Sequence, residues 1–515
     1  MSAQGCPQTQ KTQLTFGVEI EFLVPWLLVG QNDPDKDVKG LSPVLRFARK
    51  ELQIHDSEPI GIIAEELIYE RLQDTLNQLG LDSTLTSTRI PSGLPSDVLK
   101  QYLKWDVTSD ASVSQEDSLG YVLHNPTGPL RQWVAIEIQS PVEYATPKAF
   151  EVIQYALKTL TRKYRMHINP TCSVHVHVGK NSERLPLQMI RRIAGLSWAA
   201  DLLLFTLQDP IRRANTYCKA IAEYSNLARD SAGDPGHSSD QYYKEADLCL
   251  RFLGTDIRHG EASLMSREQN VRQMRDSKEL IEAFERTRQP GHHEPFNFQD
   301  NVDNRPAPLD NAHDQVIAEG ARSAAAVLPQ RASIHRHKPA RTRNLARIVL
   351  PRYTDAELQR LAVNEIDTRG RGGDIGVFEG VRQIFEAPSS CVISELLAMD
   401  DRGRGSINFK NYSCRNINRR QQEKRTIEFR IGEGCLDGDW VATWASICVA
   451  FVDFAIYAPV DEYLGVLACC DLSAKQDGVY DVLDLLDDLG LFAEAEIAEK
   501  RIRQKSKDWG TRFVV

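Results

Sequence analysis

Hydrophobic and polar residues alternate with period two in several short runs of this chain, and the polar slots carry an unusual set of side chains. "CSVHVHVG", residues 172–179, puts Cys172, Val174, Val176 and Val178 on one parity and Ser173, His175 and His177 on the other, with Gly179 ending the run. Successive side chains of a strand point to opposite faces, so one face wants a core and the other presents two imidazoles. "TFGVEIEFL" likewise sets Phe16, Val18, Ile20 and Phe22 against Glu19 and Glu21. "WVAIEIQSP" carries Glu137 among Val134, Ile136 and Ile138, and "RTIEFRIGEG" sets Ile427, Phe429 and Ile431 against Glu428 and Arg430. If "KWDVTSDAS" is one unbroken strand, Asp106, Asp110 and Ser112 share a parity.

The same reading predicts strands over Leu14–Leu23, Lys104–Val113, Trp133–Ser140 and Arg425–Ile431, with regular structure also at Asn408–Tyr412. Helical spacing covers Ile60–Leu79, with Gly80 as its stop, and Leu187–Leu207. Thr146 caps a helix that has Pro147 at its first position and runs to about Tyr164. A further helix starts at Trp440, and a helical stretch covers Val479–Lys505. Strands interleaved with helices in this way imply an α+β fold with a mainly antiparallel sheet packed on helices.

Composition divides the chain. Residues 1–13 are polar and expected to form a loose tail. From 288 to 344 the sequence turns to Pro, Asn, Asp, His and Arg with few large aliphatics, so a disordered or loosely packed insertion is expected there. "RGRGG", residues 369–373, lacks the Lys-Ser/Thr of a phosphate loop and carries little functional weight. The expected organisation is a catalytic domain in two parts, 14–225 and 405–460. A helical and low-complexity insertion, 226–404, separates them, and a helical tail, 461–515, follows.

Lys and Arg number 62 against 71 Asp and Glu, for a formal charge of −9, which argues against a general nucleic-acid binder. The N-terminus shows no apolar h-region of a secretory signal. The longest apolar stretch, Trp440 to Ala458, is interrupted by Thr443, Ser446 and Asp453, and reads as a buried helix rather than a membrane span. The ten cysteines form no CxxC pair, so a thiolate zinc site is not expected, and reduced thiols in a cytoplasmic protein are the simplest reading.

Each polar pair alone has an ordinary explanation: charged residues on the outer face of a half-buried strand, histidines satisfied in a core or at the surface, Asp110 with Ser112 as a turn, and Glu428 with Arg430 as a surface ion pair. Together they are harder to dismiss, because solvent faces of strands usually carry Lys and Thr, whereas these slots favour Glu, Asp and His. If the strands share a sheet, their polar faces form one surface of carboxylate and imidazole. Oxygen ligands with an occasional histidine suit Mg²⁺ or Mn²⁺, and several carboxylates around more than one such ion suit a nucleoside triphosphate. Arg425 and Arg430 are suited to phosphate or carboxylate oxygens.

Taken in order, "FGVEIEFL", "WDVTSDAS", "EIQSPV", "NPTCSVHVHVG", "RRANTYC" and "RTIEFRIGEGCLDGDWVATW" resemble the carboxylate–amine ligase superfamily that includes glutamine synthetase and glutamate–cysteine ligase. Within it the chain looks most like the amidoligases found in fungi. The resemblance implies a curved antiparallel sheet forming a funnel, with ATP entering on one side and a small-molecule or peptide carboxylate, then an amine, on the other. It implies Glu19 and Glu21 as ligands of two different Mg²⁺ ions, with Glu137, His175 and Glu428 as further ligands. His177 is implied near the ATP phosphates, and Arg430 at the transferring phosphoryl or substrate carboxylate. Asp110, Ser112 and Lys410 are added as substrate or phosphate contacts, while Arg212, Arg213 and Asn215 receive no role. Two other readings stay open at this point: a binding protein on a decayed ligase fold, and a metal-dependent hydrolase using His175 and His177.

Overall fold

A computed structural model describes residues 13–33, 35–52, 60–85, 103–110, 112–113, 133–180, 185–230, 347–362, 371–387, 390–399, 405–412 and 426–514. Arg425 and the segment 288–344 lie outside the described residues, as does almost all of the predicted 1–13 tail.

One mostly antiparallel sheet organises the chain. Its long central strand is β1 (Thr15–Leu28), and two short strands, β2 (Leu45–Phe47) and β6 (Glu143–Tyr144), pair with β1 off the main path. The other strands are β3 (Ser83–Leu85), β4 (Trp105–Thr108), β5 (Trp133–Gln139), β7 (Ser173–Gly179), β9 (Ile407–Asn408) and β10 (Thr426–Glu433). Their order is β3-β4-β5-β1-β7-β10-β9, so a strand from residue 426 onward lies beside the histidine strand. Among the described strands, β1–β2 and β3–β4 are the parallel pairs.

Whereas Cys172, just ahead of β7, packs with Leu23 and Val113 in a separate cluster, the apolar parity of β1, β4, β5, β7 and β10 faces a helical layer. Helices α1 (Ile60–Gln78), α2 (Pro147–Lys163), α3 (Leu187–Phe205), α4 (Gly438–Tyr457), α5 (Val460–Lys475) and α6 (Phe492–Trp509) build it. Thr146 caps α2 through its side chain, with Pro147 opening the helix, as the sequence predicts. Val18, Ile20, Val174, Val176, Ile427 and Phe429 join one continuous core with these helices. Phe429 meets Phe451 of α4 edge-on, with ring centroids 5.8 Å apart, and Phe16 stacks on Phe150 of α2 at 4.6 Å. Helix α4 is long and apolar enough to cross a membrane by length and composition, and 67% of its most apolar window is buried inside the protein.

Residues 371–373 of the "RGRGG" run act structurally. Arg371 pairs with Asp355 at 2.7 Å and donates to the Tyr353 carbonyl at 2.8 Å, while the Gly372 N–H donates to the Glu223 carbonyl at 2.7 Å. A Cβ on Gly372 would stand 2.2 Å from the Ala228 carbonyl oxygen, so glycine is required there for close backbone approach.

Asp201 of α3 is fully buried and accepts hydrogen bonds from Ser406 Oγ at 2.5 Å and from the Ala222 N–H at 3.2 Å. Burial pushes its pKa up to about 7 from the usual carboxylate value of 3.8. A raised folded-state value makes its stabilising contribution complete below about pH 4 and lost as pH rises through about 7, an effect on the order of a few kcal/mol. Thermal unfolding between pH 5 and 8 is therefore expected to show the native protein losing stability relative to Asp201→Asn as pH rises. Parallel curves would refute this assignment.

Candidate functional site

Register brings the polar residues of β5, β1, β7 and β10 to one face. Glu137 lies opposite Glu21, Glu19 opposite His175, Gly17 opposite His177, and His177 opposite Glu428, which in turn faces Asn408 of β9. This face is not solvated. Glu21 is 0% exposed, His175 2%, Glu137 5%, Glu19 and His177 8% each, and Glu428 9%. Beyond Glu21 the same face ends in a small apolar cluster of Leu23, Val113 and Cys172.

Asp110 reaches this face by a different route from the one its parity suggests. The strand carrying Asp106 stops at Thr108, so "KWDVTSDAS" is not a continuous strand. Asp110 and Ser112 stand in the turn that follows, where the Ser112 N–H donates to Asp110 Oδ1 at 2.5 Å. An aspartate accepting from the backbone two residues on favours a turn over continued sheet.

Ligating atoms converge in two groups. Glu19, His177 and Glu428 form one triad and Glu21, Asp110 and Glu137 the other, with the ligating atoms of each lying within 4.8 Å of one another. Glu19 and Glu21, neighbours on one strand, thus belong to different triads. His175 stands between them: its Nδ1 is 3.3 Å from Glu19, 3.8 Å from Glu21 and 3.9 Å from Glu428. His177 Nε2 is 3.1 Å from Glu19 Oε1, so His177, rather than His175, completes the first triad.

Hydrogen bonding fixes what these groups can accept. Ser173 Oγ donates to Glu21 Oε2 at 2.6 Å and lies 2.8 Å from His175 Nε2. With its one proton committed to Glu21, Ser173 accepts from His175 Nε2–H, and His175 Nδ1 faces three carboxylates, the nearest being Glu19 at 3.3 Å. His177 Nδ1 lies 3.0 Å from Thr426 Oγ1 and its Nε2 faces Glu19, so a proton on Nδ1 would leave the Nε2 lone pair open to a cation. Among the described residues, Glu21 Oε1 and His177 Nε2 are buried without a hydrogen-bond partner. Carboxylates crowded together in a buried site repel unless a cation lies between them. Among the described residues the two triads bring together five acidic side chains, with Arg430 against one of them, so the donor set fits oxygen-preferring divalent cations.

The electrostatics of the two triads differ. Burial, then repulsion from Glu19, holds the Glu137 carboxyl well above the usual range, and burial likewise raises Glu21. Burial also works to raise Glu428, but Arg430, followed by His177 and His175, outweighs it and holds Glu428 well below that range. Arg430 Nη1 sits 2.5 Å from Glu428 Oε1, and Asn408 Nδ2 donates to Glu428 Oε2 at 2.8 Å. Asp110 is lowered despite burial, through its hydrogen bonds from Ser112. Lys410 is exposed, at the start of a short 3-10 turn whose first N–H donates to Asn408 Oδ1 at 2.9 Å.

Residues 12–260 match the family model described as "Putative amidoligase enzyme". The match supports an amidoligase family and spans just under half of the 515 residues. It includes β1, β4, β5 and β7, and thus Glu19, Glu21, Asp110, Glu137, His175 and His177. Strand β10, with Glu428 and Arg430, lies beyond the matched stretch yet completes the polar face. No curated protein and no solved structure matches the chain.

Sequence reasoning left Arg212, Arg213 and Asn215 without roles. Arg212 Nη2 donates to the Arg430 carbonyl at 2.8 Å. Asn215 Nδ2 donates to the Pro170 carbonyl at 3.3 Å, just ahead of β7. Arg213 faces elsewhere, pairing with Glu223 at 2.7 Å and donating to the Pro351 carbonyl at 2.9 Å. Buried arginines bonded to backbone carbonyls hold structure rather than ligand, and no spacing rule distinguishes the two in a sequence.

Proposed function

We propose that this protein is an ATP-dependent carboxylate–amine ligase of glutamine synthetase-like type, working over two Mg²⁺ or Mn²⁺ ions. The carrying observation is the pair of triads on one sheet face, all of whose members are buried except the half-buried Asp110. Glu19, His177 and Glu428 would hold one ion, and Glu21, Glu137 and Asp110 the other. Such ions would supply neutralising charge for a phosphoryl group in transfer.

The chemistry follows from what amide formation requires. A carboxylate is a poor electrophile with a worse leaving group. Transfer of the γ-phosphoryl to a substrate carboxylate oxygen releases ADP and gives an acyl phosphate. An amine attacks its carbonyl carbon, phosphate leaves, and the amine proton passes to a carboxylate of the acidic triad. The protein then needs positioned charge more than a side-chain nucleophile. Arg430, held ionised beside Glu428, is placed for phosphoryl or carboxylate oxygens. Ser112 and Lys410 serve as phosphate or substrate contacts at the rim, and His175 between the triads orients Glu19 and Glu21.

His177→Ala is expected to weaken Mn²⁺-dependent ATP binding roughly 10- to 100-fold while the circular-dichroism spectrum and melting temperature hold. Global unfolding of that variant would instead mark His177 as a core histidine. ATP turnover against a panel of carboxylate–amine pairs tests the reaction itself: phosphate release should require both partners. Stoichiometric Zn²⁺ binding with ester or amide hydrolysis and no nucleotide requirement would favour a hydrolase.

A further inference from the structure

We infer that Arg212 is a positioning residue that aims the Arg430 guanidinium by gripping its main chain from behind the sheet. The inference rests on the reading of the polar face as a metal–nucleotide site.

Register between β10 and β7 shifts between Phe429 and Gly432, so Arg430 and Ile431 together stand opposite His175. A bulge of this kind disrupts the ladder, leaves backbone groups without their regular partner and re-aims a side chain. Arg430 is the first residue of this irregular stretch, and a buried carbonyl there without a donor would be costly.

The segment following α3 supplies the missing partners. Arg212 Nη2 donates to the Arg430 carbonyl at 2.8 Å, and Cys218 Sγ lies 3.2 Å from the same oxygen. On the other side the Arg430 N–H donates to the Ser406 carbonyl at 2.8 Å. The same segment also holds the side chain, because Arg430 Nε donates to the Tyr217 carbonyl at 3.2 Å. That leaves Nη1 on Glu428, 2.5 Å away.

Arg212 is itself held rigidly. It lies in a 3-10 turn, Pro210–Ala214, where Asp209 Oδ1 accepts from the Ile211 N–H at 2.9 Å. The turn is pinned to the end of β10, since the Asp209 N–H donates to Glu433 Oε2 at 2.5 Å. Glu433 is further fixed by Arg501 of α6. The turn thus meets β10 at two points three residues apart, Arg430 and Glu433, on either side of the end of the bulge. A charge-assisted donor set in a rigid turn suits a carbonyl that has lost its ladder partner.

Arg212 stands near none of the ligating atoms of the two triads as a donor or acceptor in its own right; its consequence for the site runs through Arg430. That separates positioning from generic stabilisation in a double-mutant cycle. The experiment measures Mn²⁺·ATP affinity of the full chain for wild type, Arg212→Met, Arg430→Met and the double variant, each checked by circular dichroism. Arg430→Met and Arg212→Met should each weaken binding about tenfold, and the double variant should fall less than about twofold below Arg430→Met alone. Arg212→Lys, which keeps one charged donor, should recover most of the affinity. If Arg212→Met does not fold, the same cycle is read with Arg212→Gln. Independent, multiplying losses in the double variant, or wild-type affinity in both folded Arg212 variants, would overturn the assignment. Failure of the wild type to bind Mn²⁺·ATP would instead remove the site reading beneath it, and the positioning role with it.

Discussion

Glu19→Gln is expected to reduce ATP-dependent turnover by about 100-fold or more while leaving the fold intact. The substitution is nearly isosteric, so packing in β1 changes little. Its chemical effect is large because Glu19 faces both histidines, 3.1 Å from His177 Nε2 and 3.3 Å from His175 Nδ1. A glutamine offers one carbonyl oxygen and no charge, and its amide nitrogen would turn donor hydrogens toward the space where ligand lone pairs now converge. Phosphate release, measured with the best carboxylate–amine pair, checks the activity, and a thermal melt checks the fold. Turnover that survives the change would count heavily against Glu19 as a ligand of the working site.

The largest expected effect on stability comes from Gly432→Ala. A Cβ at this position would lie 2.3 Å from the Val174 carbonyl oxygen and 2.7 Å from Trp444 Nε1. The first of these is backbone of the histidine strand, directly opposite in the register, so β10 and β7 must part for the methyl to fit. Overpacking against backbone costs about 1–3 kcal/mol or more, and here the strain falls on the pairing that aligns Glu428 with His177. Gly17→Ala is the matching control. Its Cβ would find nothing nearer than 3.6 Å, although Gly17 is also directly opposite a site histidine. Denaturant midpoints should therefore fall markedly for Gly432→Ala and stay near wild type for Gly17→Ala. Equal shifts in the two would show that close approach is not what glycine provides at 432.

The parts of this site legible in the sequence are those governed by period two. Alternation in "VEIEF", "AIEIQ", "VHVHV" and "IEFRI" places Glu19, Glu21, Glu137, His175, His177 and Glu428 on a common kind of face, and the registers put those faces side by side. Alternation says nothing of what covers the polar face, so a solvated face and a buried one read alike. The burial of Glu21 separates them. Asp110 reads two ways in the sequence, as a strand residue sharing parity with Asp106 or as a turn residue with Ser112, and the structure delivers it by the turn. The bulge in β10 leaves no periodic trace, and with it went the role of Arg212, whose partner is a carbonyl 218 residues away. The pairing of Phe513–Val514 with Arg347–Ile348 is not legible either, since short apolar segments choose partners by tertiary packing.

The central claim is that two triads on one sheet face each hold a divalent cation. Counting bound Mn²⁺ by electron paramagnetic resonance, with ATP present, tests it most directly. Two ions per chain are predicted, with Glu428→Gln removing one and Glu137→Gln the other. Fewer than two ions in the wild type, or loss of the same ion in both variants, would contradict it.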